Sequence, residues 1–218
     1  MKRIFILSFA SVVFSTNVLA QNAPTGVALL KFGVVSPNLP RQFSERWKKV
    51  GFNAGVGMDF RLTSRFFLRG EVDFDAFALD REKYLKSLRL IEEWTINNGN
   101  AIFLTAAINV KMNLLKAGGR LSPYLFAGGG ISHFVFDDVN LKTGGRGATI
   151  EGESLIPYIA NAGCGLLLKL NNELGLLLDA KYTLAFTSFE KMRVFAGFGA
   201  KENTQYLTLT VGICFFDY

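Results

Sequence analysis

His133 is the only histidine in the chain, and it follows directly on Ser132. A serine whose proton passes to an imidazole is a nucleophile for acyl transfer, and an acid that orients the ring completes the set. Glu151 and Glu153 are the acids that could approach across the following connection. If the segment is a strand, however, neighbouring side chains point to opposite faces, so Ser132 and His133 do not share one site. His133 therefore reads better as a rim histidine without catalytic work, and no catalytic residue is expected.

Three other groups could do chemistry. Cys164 and Cys214 could form a bridge in an oxidising compartment. The strand order derived below puts one strand between them, roughly 9.6 Å, with the side chains on opposite faces. A bridge needs Cα atoms within about 7 Å, so two free thiols shielded from water are expected. Glu71, Asp73 and Asp75 alternate as the ligands of a cation site would. Yet Arg61, Arg69, Lys111, Lys169 and Lys181 fall on the same inward parity, and buried carboxylates are normally paired. A salt-bridged interior is the simpler reading, with Asp59 facing Arg69. Gly144-Gly145-Arg146-Gly147 lies in a polar connection with no helix after it and matches no phosphate loop. No metal or cofactor is expected.

These residues need a scaffold, and Lys49–Ala78 shows its kind. Val50, Phe52, Ala54, Val56, Met58, Phe60 and Leu62 alternate with Lys49, Gly51, Asn53, Gly55, Gly57, Asp59 and Arg61. The pattern resumes with Phe66, Leu68, Val72, Phe74, Ala76 and Ala78 against Arg69, Glu71, Asp73 and Asp75. Such alternation marks strands with one apolar face. Each arm has about 13 residues, and a tilted strand crosses a bilayer in about 9–11. A Thr63–Arg65 loop sets Leu62 against Phe66 and Asp59 against Arg69, which keeps the two apolar faces in phase.

Residues 1–20 read as a secretory signal peptide, with Lys2 and Arg3 before an apolar run and Val18-Leu19-Ala20 before Gln21. The mature portion, 21–218, is 198 residues (218 − 20) of one barrel domain, and the formal charge falls from +6 to +4 once Lys2 and Arg3 leave. Like charges form no run, so nucleic acid is not an expected partner. Charged residues make up 19% of the chain, below the roughly 25% of soluble domains.

Six more strand candidates follow: Val27–Val35, Ala101–Leu114, Ser122–Phe136, Leu155–Leu170, Leu174–Phe186 and Thr204–Phe216. The connections alternate between long and short. Ser36–Lys48, Asp80–Asn100, Asp137–Ser154 and Thr187–Asn203 are long, whereas Thr63–Arg65, Leu115–Leu121 and Asn171–Glu173 are short. Transmembrane barrels segregate their loops in this way. The expected fold is all-β, an eight-stranded antiparallel up-and-down transmembrane β-barrel. Within Asp80–Asn100, Leu85, Leu88, Ile91 and Trp94 fit either a helix or strands extended to Asn98-Gly99.

Pro123-Tyr124-Leu125-Phe126-Ala127-Gly128-Gly129-Gly130, Asp179-Ala180-Lys181-Tyr182 and the ending Phe215-Phe216-Asp217-Tyr218 resemble the OmpA-type family of small eight-stranded outer-membrane barrels. The resemblance implies a place in the outer membrane of a Gram-negative bacterium, contact with outer-membrane lipids, and recognition of the last strand by the barrel-assembly machinery. It departs at the end, because Asp217 stands where the next outward apolar residue belongs and Tyr218 is out of phase. A globular peptidoglycan-binding domain after Tyr218 is not expected. The expected role is non-enzymatic, structural or surface-interacting through four long loops. The alternatives are a narrow pore for water or small solutes, a lipid-modifying enzyme at the rim, and a soluble ligand-holding barrel.

Overall fold

The computed structural model describes residues 26–39, 46–87, 94–115, 120–143, 145–188 and 203–216. The expected signal peptide at residues 1–20 and the departure at Asp217 and Tyr218 lie outside the described residues.

The central hairpin closes in the register that the alternation requires. Strands β2 (Gly51–Arg61) and β3 (Phe66–Phe77) pair with Phe60 opposite Leu68 and Asp59 opposite Arg69. The Thr63–Arg65 turn is held by Leu62 N donating to Phe66 O at 2.9 Å and by Phe66 N donating to Thr63 Oγ1 at 3.1 Å. That side-chain bond replaces a backbone acceptor inside a short loop, as threonine does in turns.

Around the hairpin, β1 (Gly26–Leu39), β5 (Ala101–Asn113), β6 (Leu121–Phe136), β10 (Tyr158–Lys169), β11 (Leu174–Ser188) and β12 (Asn203–Phe216) complete a closed antiparallel barrel of eight strands. β12 pairs with β1, and β6 pairs with β10, so the sheet has no free edge around its circumference. Closure satisfies the backbone ladders without water.

The faces are inverted relative to a water-soluble barrel. Outside stand Phe32, Phe52, Val56, Ile108, Ile131, Leu178, Val211 and other large apolar side chains, with Ile108 62% exposed. Inside stand Lys31, Asp59, Arg69, Glu71, Asp73, Lys111, Asp179 and Lys181, all buried. Each strand reverses between these two environments at every residue, which is how alternation in sequence becomes a polar interior.

Glycine lets the interior pack. Gly165 and Gly163 lie beneath the Tyr124 and Phe126 rings, and a Cβ at Gly165 would stand 2.4 Å from the Tyr124 ring. A side chain there would push the ring off the wall.

Among the described residues, the rim with the long connections carries a helix and short strands. Helix α1 (Arg81–Ser87) starts at Asp80, whose Oδ2 pairs with Lys83 Nζ at 2.8 Å. Hydrogen bonding to Lys83 holds the Asp80 carboxyl below its ordinary range. Strand β4 (Thr95–Asn97) ends at Asn98 and Gly99, both at positive φ, 71° and 115°. It pairs with β7 (Val139–Thr143), which pairs with β8 (Arg146–Ile150), making a small three-stranded sheet. Asp80–Asn100 therefore contains both a helix and a strand. Leu88 and Ile91 lie outside the described residues. The stretch expected as one strand over Leu155–Leu170 is broken: β9 (Glu153–Leu155) pairs with β6, and β10 begins only at Tyr158. Pro157 between them has no N–H to give to a ladder; its carbonyl accepts from Ser132 N at 3.0 Å.

Candidate functional site

The barrel interior gathers the charged and aromatic side chains into three clusters. Toward the short-turn end, Leu29, Tyr124, Phe126, Leu167, Leu177 and Cys214 form an apolar cluster.

Against this cluster, Arg69 grips Asp59 with two parallel bonds, Nε to Oδ1 at 2.6 Å and Nη2 to Oδ2 at 3.1 Å. The same guanidinium reaches Asp179 Oδ2 on β11 through Nη1 at 3.0 Å. Lys111 Nζ adds a bond to Asp59 Oδ2 at 2.6 Å. Tyr124 donates its hydroxyl to Asp179, and its ring lies under both cations, 5.0 Å from Arg69 Cζ and 4.2 Å from Lys111 Nζ. A planar fork fits two carboxylates at once, which is why arginine rather than lysine stands at the centre.

A second cluster follows. Glu71 accepts from Lys31 Nζ at 2.7 Å, from Lys181 Nζ at 2.9 Å and from Asn109 Nδ2 at 3.1 Å. Asp73 pairs with Lys31 at 3.1 Å and with Lys181. These bonds join β1, β3, β5 and β11 across the lumen.

The layer nearest the long loops is aromatic. Phe103 stacks on Phe134 with centroids 3.8 Å apart, and it meets Phe77 at 5.1 Å, Phe136 at 6.0 Å and Tyr206 at 5.7 Å. Trp47 packs edge-on to Phe136 at 5.6 Å. Tyr84 on α1 is fully buried against this cluster, and burial pushes its hydroxyl above the ordinary range.

The expected site residues fall as follows. Asp59 and Arg69 pair as expected, and Lys111 and Lys181 join the interior clusters. Arg61 does not: it stands one residue from the turn, exposed, with Nε donating to Thr63 O at 3.2 Å. Its parity is inward, but it is the last residue of β2, and its side chain turns to the loop at the rim. Lys169 stands at the same rim, over the Phe216 ring at 5.8 Å. Ser132 is buried inside, where its hydroxyl bonds Thr105 Oγ1 at 2.8 Å, whereas His133 faces outward. The sheet separates that pair. Cys164 is exposed on the outer wall and Cys214 is buried inside, and both are free thiols. Gly145 sits in the β7–β8 turn at φ 90°.

Sequence reading missed Lys31, Tyr124 and the aromatic layer. Lys31 could have been found, since it is the one charge on the inward parity of β1. Tyr124 lies on the inward parity of β6 as well. The aromatic layer gave no such signal, because Phe77 and Phe103 resemble strand-end exceptions until the barrel brings them together.

The fold and site define a closed eight-stranded antiparallel barrel, apolar outside and ion-paired within. Among solved structures, the chain is similar to a major outer membrane protein from Thermus thermophilus, with a TM-score of 0.53 and 12% identity, covering 88% of this chain and 99% of that one. It is also similar to Ail, the attachment invasion locus protein of Yersinia pestis, with a TM-score of 0.48 at 12% identity over 89% of this chain and 99% of that one. A third likeness is to Neisserial surface protein A, with a TM-score of 0.46 at 12% identity over 88% and 95%. At these identities the likeness speaks of fold alone. No protein-family model and no curated protein sequence matches the chain.

Proposed function

We propose that the chain is a non-enzymatic integral protein of the outer membrane whose lumen is closed and whose work is done at its long-loop face. The inverted barrel carries this reading: large apolar side chains cover the outside, while charged residues are buried within. Water would penalise that exterior, and a bilayer would favour it. The charged clusters and the aromatic layer fill the lumen, which supports a structural or surface-interacting role over a pore. The structured rim of α1, β4, β7 and β8 offers a surface for an extracellular partner, while the barrel wall meets outer-membrane lipids. Assembly machinery reading β12 belongs to the same proposal, as does the OmpA-type family. Cell fractionation with a gel-mobility assay tests it. The protein should partition with the outer membrane and migrate faster unheated than boiled. Recovery in a soluble fraction without detergent would overturn the reading.

A further inference from the structure

Each ion-paired cluster is balanced, and one buried carboxylate stands outside both. Asp59 and Asp179 meet Arg69 and Lys111, two acids against two bases. Glu71 and Asp73 meet Lys31 and Lys181, again two against two. Asp75 is left over. It is 1% exposed, it lies two residues beyond Asp73 on the same face of β3, and no lysine or arginine of the described residues pairs with it. Its hydrogen bond comes from Asn53 Nδ2 on β2, at 2.6 Å.

The surroundings are rich in oxygen that lacks a partner. Asn53 is 0% exposed, and the Oδ1 of the amide that holds Asp75 is unpartnered. Thr183 on β11 and Thr208 on β12 face the same interior, each 1% exposed with an unpartnered hydroxyl. Tyr206, beside them on β12, has its hydroxyl 3.5 Å from Thr105 Oγ1 on β5. The charges that act on Asp75 are Asp73 of its own strand, Lys181 of β11 and Lys31 of β1, and both lysines are already engaged by Glu71 and Asp73. An unpaired carboxylate in such a place is costly, and hard oxygen donors around it suit a small cation.

We propose that Asp75 and the Asn53 amide form a site that takes one positive charge from solution, either a proton or an alkali-metal ion. The bound charge neutralises the Asp75 carboxylate locally, beside Phe103 of the aromatic layer. Asp75 is then a binding residue, not a further member of the ion-pair clusters.

Denaturant unfolding of the refolded barrel in neutral detergent tests this with two arms on the wild type and Asp75→Asn. In the first, pH is raised in choline chloride. A bound proton makes the wild type lose stability as pH rises, at most about tenfold in the unfolding constant per pH unit for one proton, and Asp75→Asn lacks that component. In the second, sodium or potassium replaces choline at alkaline pH and constant ionic strength. A bound alkali ion stabilises the wild type and leaves the variant unchanged. Infrared spectra of wild-type barrel keep the test decisive if the variant does not fold: they distinguish a protonated carboxyl, absent above mildly alkaline pH, from carboxylate bands that shift with sodium. Identical responses of wild type and variant in both arms, or wild-type spectra insensitive to pH and sodium, would overturn the proposal.

Discussion

Asp59 on β2 and Arg69 on β3 face each other directly across the central hairpin, with Nε 2.6 Å from Oδ1 and both side chains fully buried. Two further charges lean on this pair: Lys111 on β5 through Asp59, and Asp179 on β11 through Arg69. Arg69→Ala leaves Asp59 with Lys111 alone and takes from Asp179 its guanidinium. Loss of one partner from a buried pair costs roughly 3–5 kcal/mol. Denaturant unfolding in detergent should show a loss of that order. Asp59→Ala combined with Arg69→Ala should cost less than the two single changes added, because contacting residues couple. Simple additivity would mean that the pair does not interact.

Gly165 tests how tightly the interior is packed. Its missing side chain makes room for the Tyr124 ring, which itself backs Arg69 and Lys111. Gly165→Ala should destabilise the barrel by about 1–3 kcal/mol, the usual range for overpacking. It should also quench the coupling measured between Asp59 and Arg69. Gly70→Ala is the control, since nothing lies within 4 Å of a Cβ there. Equal stability of the two variants would show that the ring has room to move.

Val56 and Leu178 are outward and 42% and 53% exposed, mid-strand on different parts of the wall. If hydrocarbon covers them, arginine at either position costs about 2–4 kcal/mol, whereas alanine costs much less. Refolding into lipid vesicles would show the difference. A tolerated Val56→Arg would mean that water, not lipid, faces this wall.

Orientation is read from loop length. Tags inserted at Gly145, in the β7–β8 turn, and at Asn172, in the β10–β11 turn, mark opposite rims of the barrel. On intact cells the Gly145 tag should be labelled and the Asn172 tag protected. The reverse pattern would invert the topology.

Much of this was legible in the chain because a barrel wall repeats one local rule. Alternation assigned both faces at Val56 and Asp59, and loop parity set Asp59 against Arg69 without any long-range information. What was not legible depends on the curvature of the closed sheet. Glu71 meets Lys181 across 110 residues, a distance that no local pattern reports. Arg61 shares the parity of Asp59 but is the last residue of β2, where its side chain is exposed at the rim, so parity alone misplaced it. Pro157 carried a warning that strand alternation outweighed, since a residue without an N–H interrupts a ladder wherever it must donate.

The central claim is that the lumen is shut, by two charged clusters joined across the barrel and by the aromatic layer of Phe77, Phe103, Phe134, Phe136 and Tyr206 above them. Pure wild-type protein reconstituted in planar lipid bilayers tests this most directly. Steady conductance should be absent, and Arg69→Ala should at most produce brief openings. Stable ohmic channels from folded wild-type protein, unchanged in Arg69→Ala, would contradict the closed lumen and make the barrel a pore.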